Sequence, residues 1–150
     1  MKNSTFKQSM LTLCMLIACC LTLSAFTAYR GLDRYEIYLN SKLIMKQYVN
    51  APLNLRMLQL DKANNDDQLR IIYTHCTDKS VGTDRVIAIQ DEKGNILKKW
   101  TFDNTTKAME IPVKELLQVE KQNNSNRLSL HYTAQELHEG DMLLASVQFK

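Results

Sequence analysis

Apolar and polar residues alternate one by one through several short segments of this 150-residue chain, and turn-forming residues separate those segments. Successive side chains of an extended strand point to opposite faces, so each such segment can bury one face and expose the other. Leu69, Ile71 and Tyr73 fall on one face in this way, whereas Arg70 and Thr74 fall on the other. The pattern therefore predicts β-strands, mostly antiparallel, for most of the chain downstream of residue 34.

We predict about eight strands and one short helix. The predicted strands are Tyr35–Leu39, Leu43–Val49, Leu53–Leu60, Leu69–Thr74, Arg85–Asp91, Ile96–Phe102, Arg127–Thr133 and Met142–Phe149. Gly94 can take the positive φ of a tight turn between the fifth and sixth strands. Trp100 and Phe102 share one face of the sixth strand, which predicts an aromatic pair in the core.

The helix is predicted over Val113 to about Lys121, because Pro112 precedes it at a first-turn position and Glu115 lies near its start. Residues 29–150 contain no internal repeat and no linker, so they are predicted to form a single domain with one core. Short strands with short connections predict a two-sheet antiparallel sandwich, immunoglobulin-like in the broad sense. A small β-barrel is the alternative.

An uncharged run of 19 residues, Met10–Ala28, follows Lys2 and Lys7. A basic start followed by an apolar stretch is typical of an export signal, and the run approaches the roughly 20 residues of a membrane-spanning helix. Leu16-Ile17-Ala18-Cys19 resembles a bacterial lipobox, which makes Cys19 a lipidation candidate. Residues 1–28 are therefore predicted to be a signal peptide, a lipoprotein signal or a membrane anchor. All three place the domain outside the cytoplasm, as a periplasmic, secreted or membrane-tethered protein.

Composition excludes two classes of protein. Residues 29–150 contain all 16 acidic residues and 17 of the 19 basic ones, which leaves a formal charge of +1. Nucleic-acid binding needs clustered Lys and Arg, so none is expected, and membrane contact is expected only through the N-terminal segment. Cys76 is the single cysteine of this region, so a disulfide-stapled scaffold is excluded as well.

His75-Cys76 is the one cluster that combines metal-ligand and nucleophile residue types. Neighbouring side chains of a strand point apart, and no further Cys or His has metal-site spacing. We therefore expect His75 to make an ordinary hydrogen bond, Cys76 to be a small buried hydrophobic residue, and no cofactor to be bound. His131 alternates with Leu130 and Tyr132 and is expected to be solvated.

Together these observations predict an exported, non-enzymatic domain that binds another protein or the cell envelope. The edge strands of a sandwich can accept a partner strand, which gives a general mechanism for such binding. Two alternatives belong to other classes. The first is a metal- or thiol-dependent protein that uses Cys76 and His75, and the second is a carrier with a small ligand in a hollow interior.

Overall fold

The computed structural model describes residues 32–76, 81–123 and 127–149, which belong to one compact unit. The predicted export segment, residues 1–28 with Cys19, lies outside the described residues. Strands dominate the described part because inward and outward side chains alternate as the sequence predicts. Leu69, Ile71 and Tyr73, for example, are buried along one strand while their neighbours are half-exposed.

Nine strands and one α-helix are present within the described ranges. They are β1 (Arg34–Leu39), β2 (Lys42–Tyr48), β3 (Met57–Gln59), β4 (Gln68–Thr74), β5 (Arg85–Gln90), β6 (Ile96–Phe102), β7 (Ala108–Pro112), α1 (Val113–Asn123), β8 (Leu128–Thr133) and β9 (Met142–Gln148). A short 3-10 helix, Leu53–Leu55, precedes β3.

Two sheets share one hydrophobic core. The four-stranded sheet has the order β2-β1-β4-β7, and the five-stranded sheet has the order β3-β9-β8-β5-β6. Only the β3–β9 pair is parallel among the pairs of these two sheets. The Tyr35 hydroxyl of β1 donates to the Leu144 carbonyl of β9 at 2.5 Å and so joins the two sheets through the core. The two-sheet prediction is confirmed. The barrel alternative is wrong for the described strands, because β2, β7, β3 and β6 each have an unpaired edge.

Helix α1 follows β7 directly and confirms the predicted helix, although it continues to Asn123. Its buried residues, Val113, Leu116 and Val119, repeat at a spacing of three and join the core cluster. Glu115 lies in its first turn and Lys121 in its last, where the helix dipole favours each charge. Among the described residues, no helix is long and apolar enough to cross a membrane.

The hairpin of β5 and β6 confirms its predicted position, and Gly94 in its turn has a φ of +79°. The aromatic prediction is wrong in part, because Trp100 and Phe102 are only half-buried at the margin of the core. Strand β6 forms the edge of its sheet, so less of the core covers these side chains. The Trp100 indole N–H donates to a Glu115 carboxylate oxygen at 2.8 Å instead of lying in a fully apolar environment.

The region between β2 and β4 differs from the prediction of one strand over Leu53–Leu60. Leu53 and Leu55 belong to the 3-10 helix and are exposed, and only the three residues of β3 pair with β9. Strand β7 was not predicted, because it is a five-residue segment that ends in Pro112. Its pairing with β4 joins residues about 40 positions apart, which local periodicity cannot reveal.

Candidate functional site

The predicted candidates His75 and Cys76 lie where the connections after β4 and β8 meet at one end of the core. The Thr83 carbonyl accepts a hydrogen bond from the Gln135 N–H at 3.0 Å. Thr83 in turn donates its N–H and its hydroxyl to the two carboxylate oxygens of Glu136, at 2.8 and 2.7 Å. Burial alone would raise the pKa of Glu136, but these hydrogen bonds hold it below its usual value.

His75 is 4 % exposed, and both of its ring nitrogens have partners. Its Nδ1 lies 3.1 Å from Asp33 Oδ2, and its Nε2 lies 3.0 Å from the Tyr132 hydroxyl oxygen. A carboxylate can only accept, so Nδ1 donates to Asp33, and in the neutral ring Nε2 accepts from Tyr132. The prediction of an ordinary hydrogen-bonded histidine therefore agrees with the geometry.

Asp33 collects the hydrogen bonds of three groups at the start of β1. Besides the His75 ring, it accepts the Tyr73 hydroxyl at 3.0 Å and the Cys76 N–H at 2.8 Å. The Tyr73 ring stacks on the Tyr132 ring, with centroids 4.2 Å apart. Burial raises the pKa of the Tyr73 phenol, and the Asp33 carboxylate raises it further. Burial likewise raises the pKa of Tyr132.

Gly82, which lies shortly before β5, packs against this network. A Cβ added at Gly82 would lie 2.5 Å from the Tyr132 hydroxyl oxygen, 2.7 Å from His75 Nε2 and 3.0 Å from the Ala134 Cβ. The backbone thus lies directly against the hydrogen bond between the histidine and the tyrosine. This leaves no room for a substrate at His75 Nε2. The hydrogen bond between His75 and Tyr132 joins the ends of β4 and β8, which belong to different sheets.

Cys76 corrects the sequence prediction, because its side chain is exposed and its thiol is free. The strand ends just before it, and its N–H is directed to Asp33, so the side chain lies outside the core. Across residues 32–76, 81–123 and 127–149, no three His, Cys, Asp or Glu side chains are arranged to hold a metal ion. Both nitrogens of the neighbouring His75 are already engaged, so the imidazole offers a metal no open ligand.

His131 also differs from its prediction, since its side chain is only 13 % exposed. Its Nδ1 lies 2.7 Å from Asp141 Oδ2, and its Nε2 lies 3.0 Å from the Ser129 hydroxyl oxygen. The residue is on the outward face of β8, as the alternation predicts. Polar neighbours on the same surface cover it in place of water.

Two buried arginines were missed by the sequence analysis. Arg85 donates to the carbonyls of Asp103, Thr106 and Lys107, and Arg56 donates to the carbonyls of Val49 and Leu143. Both guanidinium groups hold neighbouring segments of the chain in position by donating to backbone carbonyl oxygens. A signal was present, because Arg85 is in phase with the inward residues of β5 and Arg56 is in phase with those of β3.

A second candidate surface lies along the chain from β2 to β3. Seven large apolar side chains are exposed in the described part of the chain, and five of them lie between residues 43 and 57. These five, which we call the apolar edge, are Leu43, Tyr48, Leu53, Leu55 and Met57. Single exposed apolar residues are ordinary, whereas five within 15 residues of sequence make this segment a candidate interaction surface.

A cleft of about 420 Å³ opens between the two edge strands of this surface. Residues 42–44 of β2 and 57–59 of β3 line it, and Asp61 and Lys62 complete its rim. At the other end the two segments are held together, because Gln47 Nε2 donates to the Leu55 carbonyl at 3.3 Å. The cleft therefore lies at the Lys42 end of β2, whereas this hydrogen bond joins the other end of β2 to the 3-10 helix.

Comparisons with known proteins assign neither of these two places a role. No protein-family model, curated protein or solved structure matches this chain.

Proposed function

We propose that this chain is an exported, non-enzymatic domain that binds another protein of the cell envelope through its apolar edge. The observation that carries the proposal is the concentration of exposed apolar side chains on residues 43–57. When a partner covers apolar groups that were exposed to water, the free energy of the system falls by about 25 cal/mol for each Å² buried. A binding role explains why these exposed apolar side chains are concentrated in one segment.

The strand pairing supports an immunoglobulin-like sandwich as the scaffold. Strand β4 pairs with β7 in one sheet and β5 pairs with β8 in the other, while the chain crosses between the sheets after β4 and after β7. Two such interlocked pairs form the centre of immunoglobulin-like sandwiches. In this architecture the edge strands at the margins remain available to partners.

The location outside the cytoplasm stays part of the proposal and rests on the residues of the N-terminal segment. Lys2 and Lys7 precede the uncharged run Met10–Ala28, as export requires. The absence of an open imidazole in the His75 network supports a binding role over a metal- or thiol-dependent one.

Site-specific photo-crosslinking in the cells that make the protein tests the binding role. A photoreactive amino acid replaces Leu43, Leu53 or Leu55 in separate full-length variants, and Lys99 or Glu120 in matched controls on other surfaces. We expect the same adducts at the three apolar positions and not at the controls. Equal labelling at all positions, or no adduct at the apolar positions, would overturn the proposal.

A further inference from the structure

Strand β2 presents an unpaired backbone edge beside the cleft. It pairs only with β1, so alternate N–H and C=O groups along it face away from the sheet. Its register shifts opposite Ile37 and Tyr38, which leaves Ile44 as an extra residue in a bulge. A strand added here would extend the four-stranded sheet and direct its inward side chains toward the cleft.

The other long edge strands are less suited to such an addition. Strand β6 carries exposed Lys98 and Lys99 side by side, and β7 carries exposed Glu110 and ends in Pro112. Charged side chains and proline on an edge are devices that prevent unwanted strand pairing. Strand β2 has three apolar residues in succession, Leu43 to Met45, and β3 is only three residues long. Strand β2 carries Lys42, Lys46 and a bulge of its own, so its choice as the docking edge rests on its apolar run and on the cleft beside it.

The charges at the cleft favour a partner with carboxylates. Lys42 and Lys62 lie on its rim and take part in no ion pair with the described residues, whereas Asp61 is the one acidic group there. Lys46, farther along β2, is already paired with Glu36 at 2.8 Å. The β2 strand of a second copy contains Lys42 and Lys46 but no carboxylate, so self-pairing would not supply the charge that these lysines favour.

We infer that the edge of β2 binds an extended segment of a partner protein that carries apolar and acidic residues at every second position, on the one face that is directed toward the cleft. The segment pairs with β2 as a fifth strand, places an apolar side chain in the cleft between β2 and β3, and directs carboxylates to Lys42 and Lys62. This inference rests on the proposed binding role and adds to it the mode of binding and the chemistry of the partner.

Selection from a library of short random peptides against the full chain tests the inference. We expect the enriched peptides to carry apolar and acidic residues two positions apart, so that both lie on the face directed toward the cleft. The strongest of them is then synthesised in two forms, one unchanged and one N-methylated at every second residue. N-methylation removes the hydrogen-bond donors of one edge but keeps all side chains, so only strand pairing should suffer, by about a hundredfold in Kd.

Charge variants of the protein test the lysines. We expect the double substitution Lys42→Glu and Lys62→Glu to weaken the unchanged peptide about tenfold, because two attractive charges become repulsive. The matched control is Lys98→Glu with Lys99→Glu on the edge of β6, which should leave the Kd unchanged. All four lysines are exposed, so both variants are expected to fold, and circular dichroism checks this.

Sensitivity to N-methylation and to the cleft lysines supports the inference. Peptides without apolar and acidic residues on one face, or binding that ignores N-methylation, would overturn it. If crosslinks nevertheless form on the apolar edge, the binding role stands and only the strand-addition mode fails. If the crosslinks are absent as well, both fail.

Discussion

Gly82→Ala should destabilise the protein because there is no room for the added methyl group. The new Cβ would lie 2.5 Å from the Tyr132 hydroxyl oxygen and 2.7 Å from His75 Nε2, closer than real Cβ contacts come. Gly82 does not have a positive φ, so the cost is steric and not conformational. Overpacking of this kind costs about 1–3 kcal/mol, and the loss of glycine's freedom in the unfolded chain returns about 0.4–1 kcal/mol.

The midpoints of these two ranges give a net loss in free energy of unfolding of about 1.3 kcal/mol. Urea unfolding followed by circular dichroism measures it as a lower midpoint at an unchanged slope. Tyr132→Phe alone should cost about 1 kcal/mol, because His75 Nε2 loses its donor. In the double variant the hydroxyl is gone, so the two effects should sum to about 1 kcal/mol less than additivity predicts.

Gly94→Ala is the matched control. Its φ of +79° makes alanine strained there, yet a Cβ would meet no atom within 4 Å. We expect a cost of about 1 kcal/mol that is additive with Tyr132→Phe. If Gly82→Ala stays within about 0.5 kcal/mol of the parent, or adds to Tyr132→Phe as the control does, then Gly82 does not pack against this network as described.

Three further predictions concern buried charge and titration. Arg85→Lys should cost about 2 kcal/mol or more in urea unfolding, because a single ammonium nitrogen on a shorter side chain cannot take the positions of the two guanidinium nitrogens that donate to these carbonyls; an unchanged midpoint would contradict this. Hydrogen bonds from the Trp100 indole and from Lys98 lower the pKa of Glu115 in the folded protein. Their contribution to the free energy of unfolding is complete above the pKa that Glu115 has in the unfolded chain, and it is lost as the pH falls through the lower pKa of the folded protein. Trp100→Phe should therefore cost more stability at pH 7 than at about pH 3, and an equal loss at both would count against the bond. Burial is the main cause of the raised pKa values of three core tyrosines, Tyr35, Tyr73 and Tyr132. Their contribution to the free energy of unfolding is therefore complete below about pH 10 and is lost as the pH rises through the higher pKa values of the folded protein. Absorbance at alkaline pH should show these tyrosines ionising only as the protein unfolds.

Local patterns predicted most of the strands because each depends on residues close together in sequence. The β5–β6 hairpin is the clearest example, since its alternation and its Gly94 turn lie within 18 residues. Strand β7 depends on β4 instead, and five residues ending in proline carry little periodic signal. The division of the strands between two sheets was equally inaccessible, because no local pattern specifies which distant strands become neighbours.

The candidate sites were less predictable than the fold. His75 was identified, but its partners come from residue 33 and from residue 132, far away in the chain. Cys76 was expected to be buried on the basis of its residue type, yet it lies two residues beyond the end of β4 and is exposed. The apolar edge escaped the analysis because alternation assigns Leu53 and Leu55 to a strand, whereas a 3-10 helix leaves both exposed.

Asp33 also indicates where the chain can be cut. It precedes the first residue of β1, and its carboxylate accepts bonds from the Tyr73 hydroxyl, the His75 ring and the Cys76 N–H. A fragment that starts at Arg34 would retain every described strand but leave all three donors without their shared acceptor. Each way of processing residues 1–28 considered above leaves Asp33 in the mature chain. Recombinant fragments of this domain should therefore begin upstream of Asp33.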